Sequence, residues 1–162
     1  MQRRALTGIV LLAVVLGAAI ALHLAIAEGD TVFAGKTPGN LGVQDGRLAS
    51  CGRRLNCVSS QADAGDAQRY VTPIPFKGRA AEAIAAARRA VESMPRARVV
   101  REEGNYLHAE FRSKLMGYVD DVEFTFDAGA GVLHVRSASR LGRRDFQVNR
   151  ERVEALRARL VR

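Results

Sequence analysis

Polar and apolar residues alternate through four runs in the second half of the chain, at residues 97–102, 106–113, 118–126 and 131–139. Leu107, Ala109 and Phe111 share one parity, as do Val122, Phe124 and Phe126, and then Leu133 and Val135. The other parity carries His108, Glu110 and Arg112, then Asp121, Glu123 and Thr125, then His134 and Arg136. A period of two is that of a β-strand. Gly104-Asn105 and Asp127-Ala128-Gly129-Ala130-Gly131 are connections too short for anything but antiparallel neighbours. A turn around Met116 would set Glu110 opposite Asp121 or Glu123, and one around Gly129 would set Glu123 opposite His134 or Arg136. The charged face is expected in water, as a ladder of cross-strand ion pairs each worth a fraction of a kcal/mol. A carboxylate beside an imidazole on that face would also be an ingredient for acid–base chemistry.

Two segments follow the helical period instead. Residues 78–94 are rich in Ala and place Ile84, Ala87, Val91 and Met94 along one stripe, with Pro95 as the stop. Near the C-terminus Val153, Leu156 and Leu160 form a second stripe, with Asn149 as its N-cap and Val148 and Val153 as a hydrophobic staple. The predicted fold is α+β: a four-stranded antiparallel meander with two helices on its apolar face. Residues 28–76 keep no period and are punctuated by Gly and Pro. Residues 28–40 read as a linker, and the domain begins at 41 with a wrapping stretch anchored by Leu41, Val43, Leu48, Leu55 and Val58.

The N-terminus changes the topology. After Met1-Gln2-Arg3-Arg4, residues 5–27 contain no charged side chain and are interrupted only by Thr7, Gly8, Gly17 and His23. A helix of that length rises about 34 Å, enough to cross a bilayer. Arg3 and Arg4 stay inside by the positive-inside rule, so the domain is expected on the extracytoplasmic, periplasmic side. Ala25-Ile26-Ala27 has the form of a signal-peptidase site, and cleavage after Ala27 would release a secreted product. The length of the run favours an uncleaved transmembrane anchor.

Charge adds less than its size suggests. The chain has a formal net charge of +8, which suits anionic headgroups or nucleic acid. Export argues against nucleic acid, which leaves an envelope protein, a lipid headgroup or a small anionic ligand as expected partners. Cys51 and Cys57 are the two cysteines. In an exported chain such a pair reads as a disulfide; if reduced, Cys57 would be a candidate nucleophile.

At Asn56-Cys57-Val58-Ser59-Ser60-Gln61, Val119-Asp120-Asp121-Val122-Glu123-Phe124 and His134-Val135-Arg136-Ser137-Ala138-Ser139-Arg140 the chain resembles the domain of unknown function 1499 family. Residues 142–154, with Asp145, Val148, Asn149, Arg150 and Val153, continue the likeness, which covers residues 41–160. Gly117-Tyr118 and the basic pair Arg143-Arg144 depart from the family pattern. The resemblance implies a small α+β protein, exported or anchored, and supplies no activity.

Candidate chemistry is sparse. Asp120 has the parity of the apolar face, where a carboxylate must be paired or protonated; Arg140 and Arg150 are its expected partners. Arg140, Asn149 and Arg150 would alternatively gather around an anion at the start of the last helix. Ser59, Ser60 and Gln61, with Ser139, supply further polar groups for a binding pocket. An enzyme would bring Asp120, Ser139 and Arg140 together with Ser59 or Cys57 in one cleft. No nucleophile elbow, metal-spacing motif or phosphate loop is present, so no cofactor and no metal are expected. The preferred reading is a binding or structural module without catalysis.

Overall fold

A period-two run can pair only if its backbone finds neighbours, and here each does so in chain order. The computed structural model describes residues 33–161, with Val14 and Gly17 as further isolated positions. The membrane anchor or signal peptide read at residues 1–27 lies, apart from those two positions, outside the described residues. Among the described residues no helix is long and apolar enough to cross a membrane.

In chain order the elements are strands β1 (Val43–Gln44), β2 (Arg47–Leu48), β3 (Cys57–Ser59) and β4 (Ile74–Pro75), helix α1 (Ala80–Glu92), strands β5 (Ala97–Glu103), β6 (Tyr106–Arg112), β7 (Val119–Asp127) and β8 (Val132–Ser139), and helix α2 (Val148–Leu160). Strands β5 to β8 form the expected antiparallel meander, with Glu110 opposite Asp121 and Glu123 opposite Arg136. The sheet is nevertheless six-stranded rather than four-stranded, because β3 and β4 both pair with the outer edge of β8. An uncovered β8 would present a row of unpaired N–H and C=O groups. The wrapping stretch satisfies them, with Cys57 opposite Ala138 and Ile74 opposite Leu133. Pro75 falls at this edge, where its missing N–H costs no internal ladder bond.

Both helices cover the apolar face. Ala83, Ile84, Ala87, Ala90 and Val91 of α1 and Val153 and Leu156 of α2 join Leu107, Val122, Phe124, Leu133 and Val135 in one core. The many alanines of α1 let its backbone approach the sheet closely. Glu82 closes the helix start by accepting from the Arg79 backbone N–H at 3.0 Å. Helix α2 begins differently from expectation. Its first helical residue is Val148, and Asn149 lies buried inside the first turn rather than capping it. The cap is supplied by Asp145, whose Oδ2 accepts the Asn149 N–H at 2.8 Å.

The opposite face of the sheet is not in water. His108, Glu110, Asp121, Glu123 and Arg136 are all buried, so the expected solvated ladder is corrected to an internal polar layer. The β1–β2 hairpin crosses this face, β2 lies against β7, and the Gly42 N–H donates to Glu123 Oε1 at 2.8 Å. Gln61 ties the hairpin from its other side, accepting the Leu48 N–H at 2.8 Å. Charged side chains tolerate such a cover only when paired with one another.

Candidate functional site

The buried polar layer contains two hydrogen-bonded groups. In the first, Glu123 accepts from Tyr106 Oη (2.9 Å), Arg136 Nη1 (2.8 Å) and the Gly42 N–H (2.8 Å). Burial, and then the Glu123 carboxylate, push the Tyr106 phenol far above its ordinary range, so it remains a donor. In the second, Arg140 donates to Asp121 Oδ1 (2.8 Å) and Oδ2 (2.9 Å) and to Glu110 Oε1 (2.6 Å). His108 Nε2 adds a bond to Asp121 Oδ1 at 2.8 Å, and Arg98 one to Glu110 Oε2 at 2.9 Å. Burial alone would raise both carboxyls; hydrogen bonds from Arg140, together with His108 or Arg98, outweigh it and hold both below the usual carboxylate range. Every charge here has a partner, all but Arg98 are buried, and the hairpin is tied to Glu123, which is the pattern of a structural clasp rather than of an open reaction site.

On the helix side of the sheet a second polar node sits in apolar surroundings. Asp120 accepts from Arg152 Nη2 at 2.5 Å, and Arg152 also lies over the Phe111 ring at 5.0 Å. The expected partners of Asp120, Arg140 and Arg150, are engaged elsewhere. Arg140 points to the other face of the sheet, one residue past Ser139 and therefore of opposite parity. Arg150 donates to the backbone carbonyls of Tyr70 (2.9 Å) and Ala67 (2.9 Å), pinning the wrapping stretch. Asn149 uses its whole amide: Oδ1 accepts from Ser137 Oγ (2.5 Å) and Arg152 Nη1 (2.6 Å), and Nδ2 donates to the Asn56 carbonyl (3.0 Å) and Ser139 Oγ (2.9 Å). Asp120, Ser139 and Asn149 are thus brought together, with Arg152 as the member that sequence reasoning missed.

The Ser59–Gln61 stretch stands apart from that node. Ser59 Oγ accepts the Gln61 N–H at 3.1 Å. Ser60 Oγ accepts the Val135 N–H at 2.9 Å, which leaves its own proton for His134 Nδ1 at 3.1 Å. Burial depresses the His134 pKa, consistent with a neutral ring accepting at Nδ1. The serine hydroxyl is therefore held as a structural donor and acceptor. Cys57 is bonded to Cys51, so it is not a nucleophile. The set Asp120, Ser139, Arg140, Ser59 and Cys57 does not converge on one cleft. Among the described residues no group of three or more His, Cys, Asp or Glu is placed to hold a metal ion.

Two adjoining clefts form at the end of the sheet where β8 runs into α2. One, of about 510 Å³, is walled by Phe33, Tyr118, Leu141, Phe146 and Val148, with Asp120 and Ser139 also lining it. The Phe33 and Tyr118 rings pack at 5.5 Å. The other, of about 630 Å³, is lined by Arg53, Arg54, Arg143 and Arg144, with Arg140, Leu55 and Gly142. Gly142 and Arg144 belong to both clefts. The exposed guanidiniums of Arg53, Arg54, Arg143 and Arg144 have no carboxylate partner among the described residues. Their closeness was not legible beforehand: Arg53-Arg54 and Arg143-Arg144 are far apart in sequence and meet where the Leu55 N–H bonds the Arg143 carbonyl at 3.3 Å.

The disulfide holds half of this basic cleft, since Arg53 and Arg54 lie in the short loop it closes. Reducing it is expected to cost about 2 kcal/mol through the regained loop entropy. Denaturant unfolding of the full chain in neutral detergent, with and without reductant, measures this; an unchanged midpoint would contradict it.

The family described as protein of unknown function (DUF1499) matches the chain over residues 47–160. No curated protein matches it. The matched span takes in the sheet, both helices, the buried polar layer and most of the clefts. On that span, the chain belongs to the DUF1499 family.

Proposed function

We propose that the protein is a membrane-anchored, non-enzymatic binding module on the extracytoplasmic side, and that it holds an anionic amphiphile across the two clefts. The observation that carries this reading is the junction at Gly142 and Arg144 of an apolar cleft with an arginine-lined one. Guanidiniums recognise phosphate and carboxylate through forked donors, and four of them here have no carboxylate to satisfy among the described residues. An apolar cleft beside them takes the hydrocarbon part of the same molecule. The uncharged run at residues 5–27 and the Cys51–Cys57 disulfide support an anchored, exported chain. Cleavage after Ala27 would leave the same module secreted.

The test is lipid retention by the full chain in neutral detergent, read by native mass spectrometry with phosphatidylglycerol or phosphatidylcholine as probe. Phosphatidylglycerol should be retained in preference, and the double variant Arg143→Gln, Arg144→Gln should lower its apparent affinity about tenfold, equivalent to 1.4 kcal/mol. Equal retention of both lipids, or retention unchanged in the variant, overturns the reading.

A further inference from the structure

Two of the largest apolar side chains in the domain are almost wholly in water. Leu115 is 91% and Phe146 90% exposed, whereas the side chains of the core are at or near zero. Isolated exposed leucines are ordinary, but these belong to a set. Met116 and Tyr118 continue the β6–β7 turn at 45% and 42% exposure, and Leu141 and Val148 are at 42% and 45%.

The backbone is arranged to present Phe146 outward. Phe146 and Gln147 both adopt positive φ, at 53° and 74°, a conformation that a bulky side chain rarely takes. Such a conformation persists only where the surroundings hold it. Here Asp145 does so on the helix side, its carbonyl accepting the Val148 N–H at 3.1 Å and its carboxylate the Asn149 N–H at 2.8 Å. The result is an aromatic ring held clear of the core at the mouth of the apolar cleft.

Charge and chain direction identify what covers these tips. Lys114 precedes Leu115, Arg143 and Arg144 precede Phe146, and all three basic side chains are exposed. Apolar tips flanked by exposed cations are the composition of a surface that seats in the headgroup region of an anionic bilayer. Phe33, which lines the same cleft, is only six positions past the end of the uncharged run at residue 27. A six-residue segment spans at most about 20 Å, so an anchor there would keep this end of the domain close to the lipid.

We infer that the cleft end docks on the anionic bilayer surface, with Leu115 and Phe146 inserted among the headgroups and the arginines on lipid phosphates. This rests on the anchored reading above and deepens it: the apolar cleft then opens toward the lipid phase, from which an amphiphile enters without crossing water. A second copy of the chain would fit less well, since two arginine-rich ends repel one another.

The chain has no Trp, so a single introduced Trp reports alone. Full-length chains carrying Phe146→Trp, Leu115→Trp or Ala128→Trp are reconstituted into phosphatidylcholine vesicles with and without phosphatidylglycerol, and quenched by lipids with brominated acyl chains. Ala128 lies just beyond the far end of β7, whose nine residues extend about 30 Å, and serves as the water-exposed reference. Insertion to roughly 5–10 Å should cost the Trp at 146 and at 115 about half their emission in the anionic vesicles, with a blue shift. The Trp at 128 should be unaffected. Quenching at 115 and 146 no greater than at 128 overturns the docking. So does quenching that is unchanged when Arg143→Gln and Arg144→Gln are added, or one that needs no anionic lipid. Lipid retention in detergent needs no bilayer, so loss of quenching with retention intact condemns the docking alone. Loss of retention with quenching intact condemns the amphiphile site alone.

Discussion

Replacing Arg140 by Ala should destabilise the domain by about 3–5 kcal/mol near neutral pH, because it takes from two buried carboxylates the guanidinium they share. Arg140 is 5% exposed, and it bridges Glu110 and Asp121, which are 7% and 1% exposed. The loss should appear as a fall of roughly 10–20 °C in Tm for a domain of this size, read by circular dichroism of the full chain in neutral detergent. The pH dependence separates this from simple loss of packing. With Arg140 in place the folded-state pKa values of Glu110 and Asp121 are depressed. Their contribution is therefore fully present above the unfolded values of about 4 and disappears as pH falls through the lower folded ones. Without Arg140, only Arg98 and His108 remain to oppose burial, so the depression weakens and the carboxylates relieve part of their penalty by taking up protons at a higher pH than in the wild type. The difference between wild type and Arg140→Ala should accordingly shrink as pH is lowered from neutrality toward 4. A difference that stays constant over that range would show that the guanidinium matters only as volume.

Glu123→Ala should have an effect of the same size, about 3–5 kcal/mol, for the mirror reason. It leaves Arg136, 8% exposed, without a counter-charge, and it leaves the Tyr106 hydroxyl and the Gly42 N–H without their acceptor. The Gly42 bond joins residues 81 apart in sequence, so its loss should free the β1–β2 hairpin from the sheet. Trypsin should then cut after Arg47, which is exposed at the hairpin, before the remainder of the domain opens. Glu123→Gln keeps an acceptor for Tyr106 or Gly42 but turns an amide toward Arg136, and should fall between the two. Cleavage after Arg47 no faster in Glu123→Ala than in wild type would mean that the hairpin is held by other contacts.

Most of the sheet could be read from alternation. Strands β5 to β8 start and stop within one or two residues of the runs that predicted them, and the two helices follow their apolar stripes. Short hairpin turns restrict the register to a pair of alternatives, and the structure selects one at each turn. Strands β3 and β4 were not visible because they are two or three residues long and lack a period. They are strands because β8 offers an unpaired edge, which is a property of the assembled sheet. The bulge between Val99 and Arg101 likewise leaves no mark in the alternation beyond an exposed Val100.

The partners of single charged residues were the least legible feature. Asp120 was recognisable as a carboxylate on an apolar face, since parity alone assigns it there. Its cation was not. Successive helix positions turn by about 100°, so Arg150 and Arg152 look in different directions from α2, and only Arg152 reaches Asp120. Arg140 failed as a partner for the strand version of the same reason, being one residue past Ser139. The arginine cleft is a matter of chain crossing, with residues 53–54 and 143–144 joined by one backbone bond at Leu55.

Periodicity, turn chemistry and the apolar core positions are local or nearest-neighbour properties, and the sequence by itself therefore determined the meander, its two helices, the parity of each strand residue and the family. It also placed an uncharged run of spanning length at the N-terminus and a cysteine pair in the wrapping stretch. Only the tertiary structure decided that the charged face is buried, which carboxylate meets which arginine, and that an apolar and a basic cleft meet at one end. Those outcomes depend on where the aperiodic stretch lies over the sheet. Its path is set by long-range hydrogen bonds and charge pairs between residues that no local pattern connects.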